Sequence, residues 1–146
     1  MAASEIYPAV RAPGRPFYRP LRAFAAACLI GALATDVAYC LTADFVWVDF
    51  SDWLVSAGAA VGVVAFLVGL IELVARRFAR PRLATLALDL LAWAVAVLDL
   101  MVHTRDSWTS VVPWGVALSA IAVLILLVSE WTLRAAPAPV VNERIA

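Results

Sequence analysis

Four runs of about 20 apolar residues, joined by short polar connections, set the pattern of this chain: residues 21–42, 52–75, 83–103 and 113–133. At about 1.5 Å of rise per residue, each run is long enough to cross the roughly 30 Å hydrocarbon core of a bilayer as a helix. The pattern predicts an all-α fold, an integral membrane four-helix bundle over residues 18–134. Residues 1–17 and 135–146 carry prolines and arginines but no apolar core, and read as flexible tails. The first tail lacks the apolar centre of a signal peptide, so the first span is expected to act as an uncleaved anchor.

Inside the spans, small and polar residues fall at helical spacing. In the second, Gly58, Gly62, Ala65, Gly69 and Glu72 recur at steps of four and three, one continuous helix face. Small residues on such a face let another backbone approach closely, so Gly58, Gly62, Ala65 and Gly69 are read as a helix-packing stripe. In the third span Asp89, Ala92, Ala96, Asp99 and His103 form a narrow polar stripe in the same rhythm. In the fourth, Gly115, Ser119, Ala122 and Ser129 lie near one face, and Glu130 precedes Arg134 by one turn. Ser51 is expected to cap the second helix.

Composition and charge then fix class and orientation. Of 146 residues 65% are hydrophobic and 15% charged, a membrane composition rather than that of a soluble domain. All eleven cations are arginine. Ten of them lie in the N-terminal segment (Arg11, Arg15, Arg19, Arg22), the middle loop (Arg76, Arg77, Arg80, Arg82) and the C-terminal flank (Arg134, Arg144), and only Arg105 lies on the opposite side. By the positive-inside rule both termini are expected in the cytoplasm. Trp47, Trp53, Trp108 and Trp114 would then form an aromatic belt at the outer interface. The basic residues sit in short clusters beside spans, which excludes a surface that tracks a nucleic acid. The expected partners are the lipid bilayer and, beyond it, a second copy or a membrane or periplasmic protein.

Ionisable residues inside a bilayer mark candidate sites, because they must be neutral, paired or wetted. Asp36 lies near the far end of the first span and Asp99 in the outer half of the third, one turn before the only histidine, His103. With Arg105 and Asp106 they make a candidate polar cluster at the outer face. Its structural alternative is a clasp in which His103, Arg105 and the Tyr39 hydroxyl hold the two acids. Asp89 is expected to be hydrogen-bonded to Thr85. Cys28 and Cys40 lie about 18 Å apart on one helix, too far for a disulfide, and read as small core residues. No metal site is predicted: Asp36, Asp99, His103 and Asp106 do not have a spacing that demands zinc. A single histidine disfavours two-histidine haem ligation, and no cofactor is predicted. No catalytic motif is present.

The segments Gly31–Tyr39 (GALATDVAY), Phe50–Leu54 (FSDWL) and His103–Pro113 (HTRDSWTSVVP) resemble the bacterial membrane family catalogued as domain of unknown function 2231, along nearly all of Tyr18–Trp131. The resemblance implies a four-helix inner-membrane protein without an established activity. Members often carry His-Pro where Arg19-Pro20 stands here, so a pair of histidines shared by such members is incomplete in this chain. The expected role is a non-enzymatic membrane component, an anchor or scaffold subunit. The alternative is an electron-transfer subunit or small transporter that uses the polar cluster.

Overall fold

The computed structural model describes residues 17–75, 83–104 and 111–134. Four α-helices follow one another: α1 (Tyr18–Thr42), α2 (Val46–Ala75), α3 (Leu83–His103) and α4 (Val116–Arg134). A kinked segment, Val111–Gly115, leads into α4; Val112 has an extended backbone, φ −115° and ψ 128°, and precedes a cis peptide to Pro113. All four helices, the last counted from Val111, are long and apolar enough to cross a membrane. Among the described residues there is no strand. The molecule is an all-α, four-helix membrane bundle in which α1 packs on α2, α2 on α3, α3 on α4, and α4 closes against α1.

The interior follows one rule in every helix. Buried positions step by three and four: Tyr18, Arg22, Ala25, Leu29, Ala32 and Asp36 in α1; Ser51, Val55, Gly58, Gly62, Ala65, Gly69 and Glu72 in α2; Asp89, Ala92, Ala96, Asp99 and His103 in α3; Ser119, Ala122, Leu126 and Ser129 in α4. A repeat averaging about 3.5 residues keeps one seam facing its neighbours in a left-handed bundle. The seams hold mostly small and polar residues, whereas Leu41, Val74, Leu124 and Trp131 face outward. Lipid is as apolar as leucine, so nothing drives large side chains inward. Close backbone approach and interhelical hydrogen bonds hold the bundle instead.

The glycines of α2 show how close that approach is. A Cβ on Gly62 would stand 2.4 Å from Cε3 of the buried Trp93 in α3, and one on Gly69 would stand 2.8 Å from the Tyr18 ring. At Gly58 the neighbours are Leu29 and Cys28 of α1, at 3.0 and 3.2 Å. Ala65 is fully buried.

Several boundaries differ from expectation. α1 begins at Tyr18, because Pro20 falls in the first turn, where its missing N–H has no intrahelical partner to lose. α2 begins at Val46 rather than near Asp52, so Ser51 lies inside the helix and caps nothing. The start signal is Asp44, whose Oδ1 accepts the Val46 N–H at 3.1 Å. The α1–α2 connection shrinks to Ala43–Phe45. There Ala43 adopts the left-handed conformation, φ 54°, and returns its N–H to the Tyr39 carbonyl at 2.8 Å. Cys28 is buried but Cys40 is exposed, so the core-residue reading holds for the first cysteine alone.

Candidate functional site

The ends of the four helices nearest the α1–α2 connection carry the described part of the candidate cluster. Asp36 lies six residues before the end of α1, Asp99 one turn before the end of α3, and His103 ends that helix. The structure brings these three together and adds two hydroxyls, Ser51 of α2 and Ser119 of α4. Asp36 Oδ1 accepts a hydrogen bond from Ser51 at 2.5 Å and lies 3.3 Å from His103 Nε2. Its Oδ2 is 2.7 Å from Ser119 Oγ, and that same oxygen is 2.7 Å from Asp99 Oδ2. His103 Nδ1 faces the Asp99 main-chain carbonyl at 3.0 Å and stands 3.2 Å from Asp99 Oδ1. Every helix contributes a polar group, and none of the five side chains is more than 3% exposed.

Both acids are therefore held by His103 and by serine hydroxyls, and not by Tyr39. The Tyr39 ring turns to the α1–α2 connection and packs against Phe45, with centroids 5.9 Å apart. Arg105 and Asp106 of the expected cluster lie outside the described residues. Both ring nitrogens of His103 face protein acceptors, so axial ligation of a metal would require giving up one of these contacts. Among the described residues no group of histidines, cysteines and carboxylates is arranged to hold a metal ion.

A second polar layer lies ten residues further along α3, roughly 15 Å away by helical rise. Asp89 is engaged by the Tyr18 hydroxyl, by Arg22 Nε at 2.9 Å and by Ser129 Oγ at 2.6 Å. This replaces the expected bond from Thr85, whose hydroxyl instead faces Thr132 at 3.5 Å. Arg22 also reaches Glu130 at 2.6 Å and Ser129 at 3.1 Å, and Glu130 takes its second cation from Arg134 at 3.0 Å. The guanidinium thus divides between a buried and a half-exposed carboxylate, which suits its planar fork of donors. Arg76, four residues after Glu72 in the sequence, lies outside the described residues.

Between the two layers Leu29, Ala59, Ala92, Ala96, Ala122 and Leu126 close the interior with apolar atoms. On the outside, α2 and α3 leave a shallow groove lined only by apolar side chains, including Val63, Phe66, Leu90 and Leu98. The polar groups are thus turned inward at two levels, and the exterior is made for acyl chains.

Tyr18, Arg22, Ser51 and Ser119 are the site residues that sequence reasoning did not assign. Their signal was depth: Ser51 and Ser119 lie within about two turns of the same bundle end as Asp36 and Asp99, and Tyr18 and Arg22 occupy the first two turns of α1 opposite the start of α3.

Fold and site define a multi-pass helical membrane protein with a buried, interhelical polar centre. The profile of a family described as predicted membrane proteins, domain of unknown function 2231, matches residues 21–132. The chain belongs to that family. No curated protein and no solved structure matches it.

Proposed function

We propose that this protein is a non-enzymatic component of the bacterial inner, or cytoplasmic, membrane, an anchor or scaffold subunit with both termini in the cytoplasm. One observation carries this reading: its two polar layers are closed by bonds between helices, and an apolar layer separates them. Such an arrangement ties α1 to α3 and α4 in one register. Buried polar contacts that fix register are the best-attested use of groups costly to bury. The surrounding partner is the lipid bilayer, and a second copy or a membrane or periplasmic protein is the macromolecular partner class. Orientation rests on the ten-to-one arginine asymmetry.

Reconstitution into liposomes tests the role. The protein should leave an imposed proton gradient unchanged, and the purified protein should show no Soret band. A gradient leak abolished by Asp99→Asn, or a Soret band, would replace the scaffold with the alternative, a small transporter or an electron-transfer subunit using the outer centre. A reporter that works only in the cytoplasm, fused after Ala146, should be active. Activity of a periplasmic reporter at that position would overturn the orientation.

A further inference from the structure

We propose that the outer polar centre is a proton-binding site, in which Asp99 carries a carboxylic proton and is linked through Ser119 to an ionised Asp36. The inference goes beyond the scaffold role and does not depend on it. It rests on a count of hydrogen atoms. Ser119 Oγ lies 2.7 Å from a carboxylate oxygen on each side, Asp36 Oδ2 and Asp99 Oδ2. A hydroxyl has one proton to donate. With both acids ionised, one of those contacts would press two unprotonated oxygens together at hydrogen-bond distance in a dry site. One carboxylic proton removes the conflict.

The donors decide which acid holds it. Asp36 receives Ser51 and His103 on Oδ1 and Ser119 on Oδ2, the surroundings of a carboxylate. Asp99 takes fewer donors: its Oδ2 meets Ser119 alone, and its fully buried Oδ1 has one ion-pair contact, His103 Nδ1 at 3.2 Å. The Nδ1–H is directed to the Asp99 main-chain carbonyl. The chain of donors then runs from Asp99 O–H to Ser119 Oγ, and from Ser119 O–H to Asp36 Oδ2. His103, with both nitrogens facing acceptors, is the imidazolium.

Charge gives the same answer. Imidazolium, one carboxylate and one carboxylic acid sum to zero, whereas a second ionised carboxylate would leave a net negative charge among groups that are 0–3% exposed. From α2 the further acid within electrostatic reach of His103 is the half-buried Asp52, which adds to the negative side. From α4 the facing group is Ser119, and from α1 it is Asp36. The spacing suits a proton: oxygens 2.7 Å apart share a hydrogen atom. Loss of the proton would set two carboxylates on either side of Ser119 and strain the junction of α1, α3 and α4.

Infrared spectroscopy of the full chain in lipid tests this directly. At neutral pH the wild-type protein should show the carboxylic C=O band of one buried aspartic acid, moved by 13C labelling of the aspartate side chains. Asp99→Asn should remove it, and so should Asp36→Asn, because Asp99 then becomes the sole carboxylate beside the imidazolium. Asp89→Asn should leave it. Ser119→Ala, which keeps every carboxyl group, should shift its frequency and covers the case in which an aspartate variant does not fold. No labelled acid band in the wild type, or a band that ignores Asp36→Asn, Asp99→Asn and Ser119→Ala alike, would overturn the proposal.

Discussion

Gly62→Ala adds one methyl group at the point where α2 and α3 come closest. Its Cβ would stand 2.4, 2.6 and 2.8 Å from three atoms of the Trp93 indole, well inside contact distance. The indole is 2% exposed and rigid, so relief requires turning it out of the core or separating the helices. Two effects oppose each other. Alanine improves helix propensity by about 1 kcal/mol over glycine. Overpacking of a closed core costs about 1–3 kcal/mol. At Gly62 the second should win, with a net loss of up to about 2 kcal/mol, and Gly62→Leu should lose more. Gly31→Ala is the matched control, since its new Cβ meets only the flexible Leu54 side chain, at 3.2 Å. There the propensity term should dominate and stability should hold or rise. Val63→Leu, on the apolar outer groove, should also be mild. Thermal unfolding in detergent, followed by circular dichroism, ranks the four variants. Trimming the obstacle with Trp93→Leu should make Gly62→Ala tolerable. Equal stability of Gly62→Ala and Gly31→Ala in the wild-type background would refute the close packing of α2 on Trp93.

Arg22→Met removes the cation from a fully buried Asp89 and should cost on the order of 3 kcal/mol, whereas Asp89→Asn should cost less because Tyr18 and Ser129 still have a polar partner; equal losses in a denaturation series would argue against the pair. Ala43→Gly should stabilise the chain by up to about 1 kcal/mol, because Ala43 holds a left-handed conformation that suits glycine; a lower unfolding temperature would show that the α1 terminus is not so built.

The spans were legible because a membrane helix must be about 20 apolar residues long, and all four helices meet that length and apolarity. The starts of α1 and α2 were not, because apolarity marks where lipid begins rather than where the helix does. Val46–Ser51 is helical despite Asp49, so Ser51, read as a cap, became an interior hydroxyl. Arg22 was read only as an orientation signal at the membrane edge. Since α1 extends back to Tyr18, Arg22 lies in its second turn and points at Asp89. Periodicity placed Asp36, Asp99 and His103 on faces and at depths, but partner choice across helices depends on rotation and tilt, which one sequence does not encode locally. Local spacing therefore points to Tyr39, three residues from Asp36, whereas the partner Ser119 lies 83 residues away.

Residues far apart in sequence form one polar centre, and the Asp36–Ser119 contact joins α1 to α4 across 83 residues. A double-mutant cycle of Asp36→Ala and Ser119→Ala, measured by reversible unfolding in detergent, should give a coupling energy of about 0.5–2 kcal/mol, the range of interhelical hydrogen bonds in membranes. The companion cycle of Asp36→Ala with Ser129→Ala, whose serine belongs to the other polar layer, should be additive. Additivity of Asp36 with Ser119, within the error that the Ser129 cycle defines, would contradict the account.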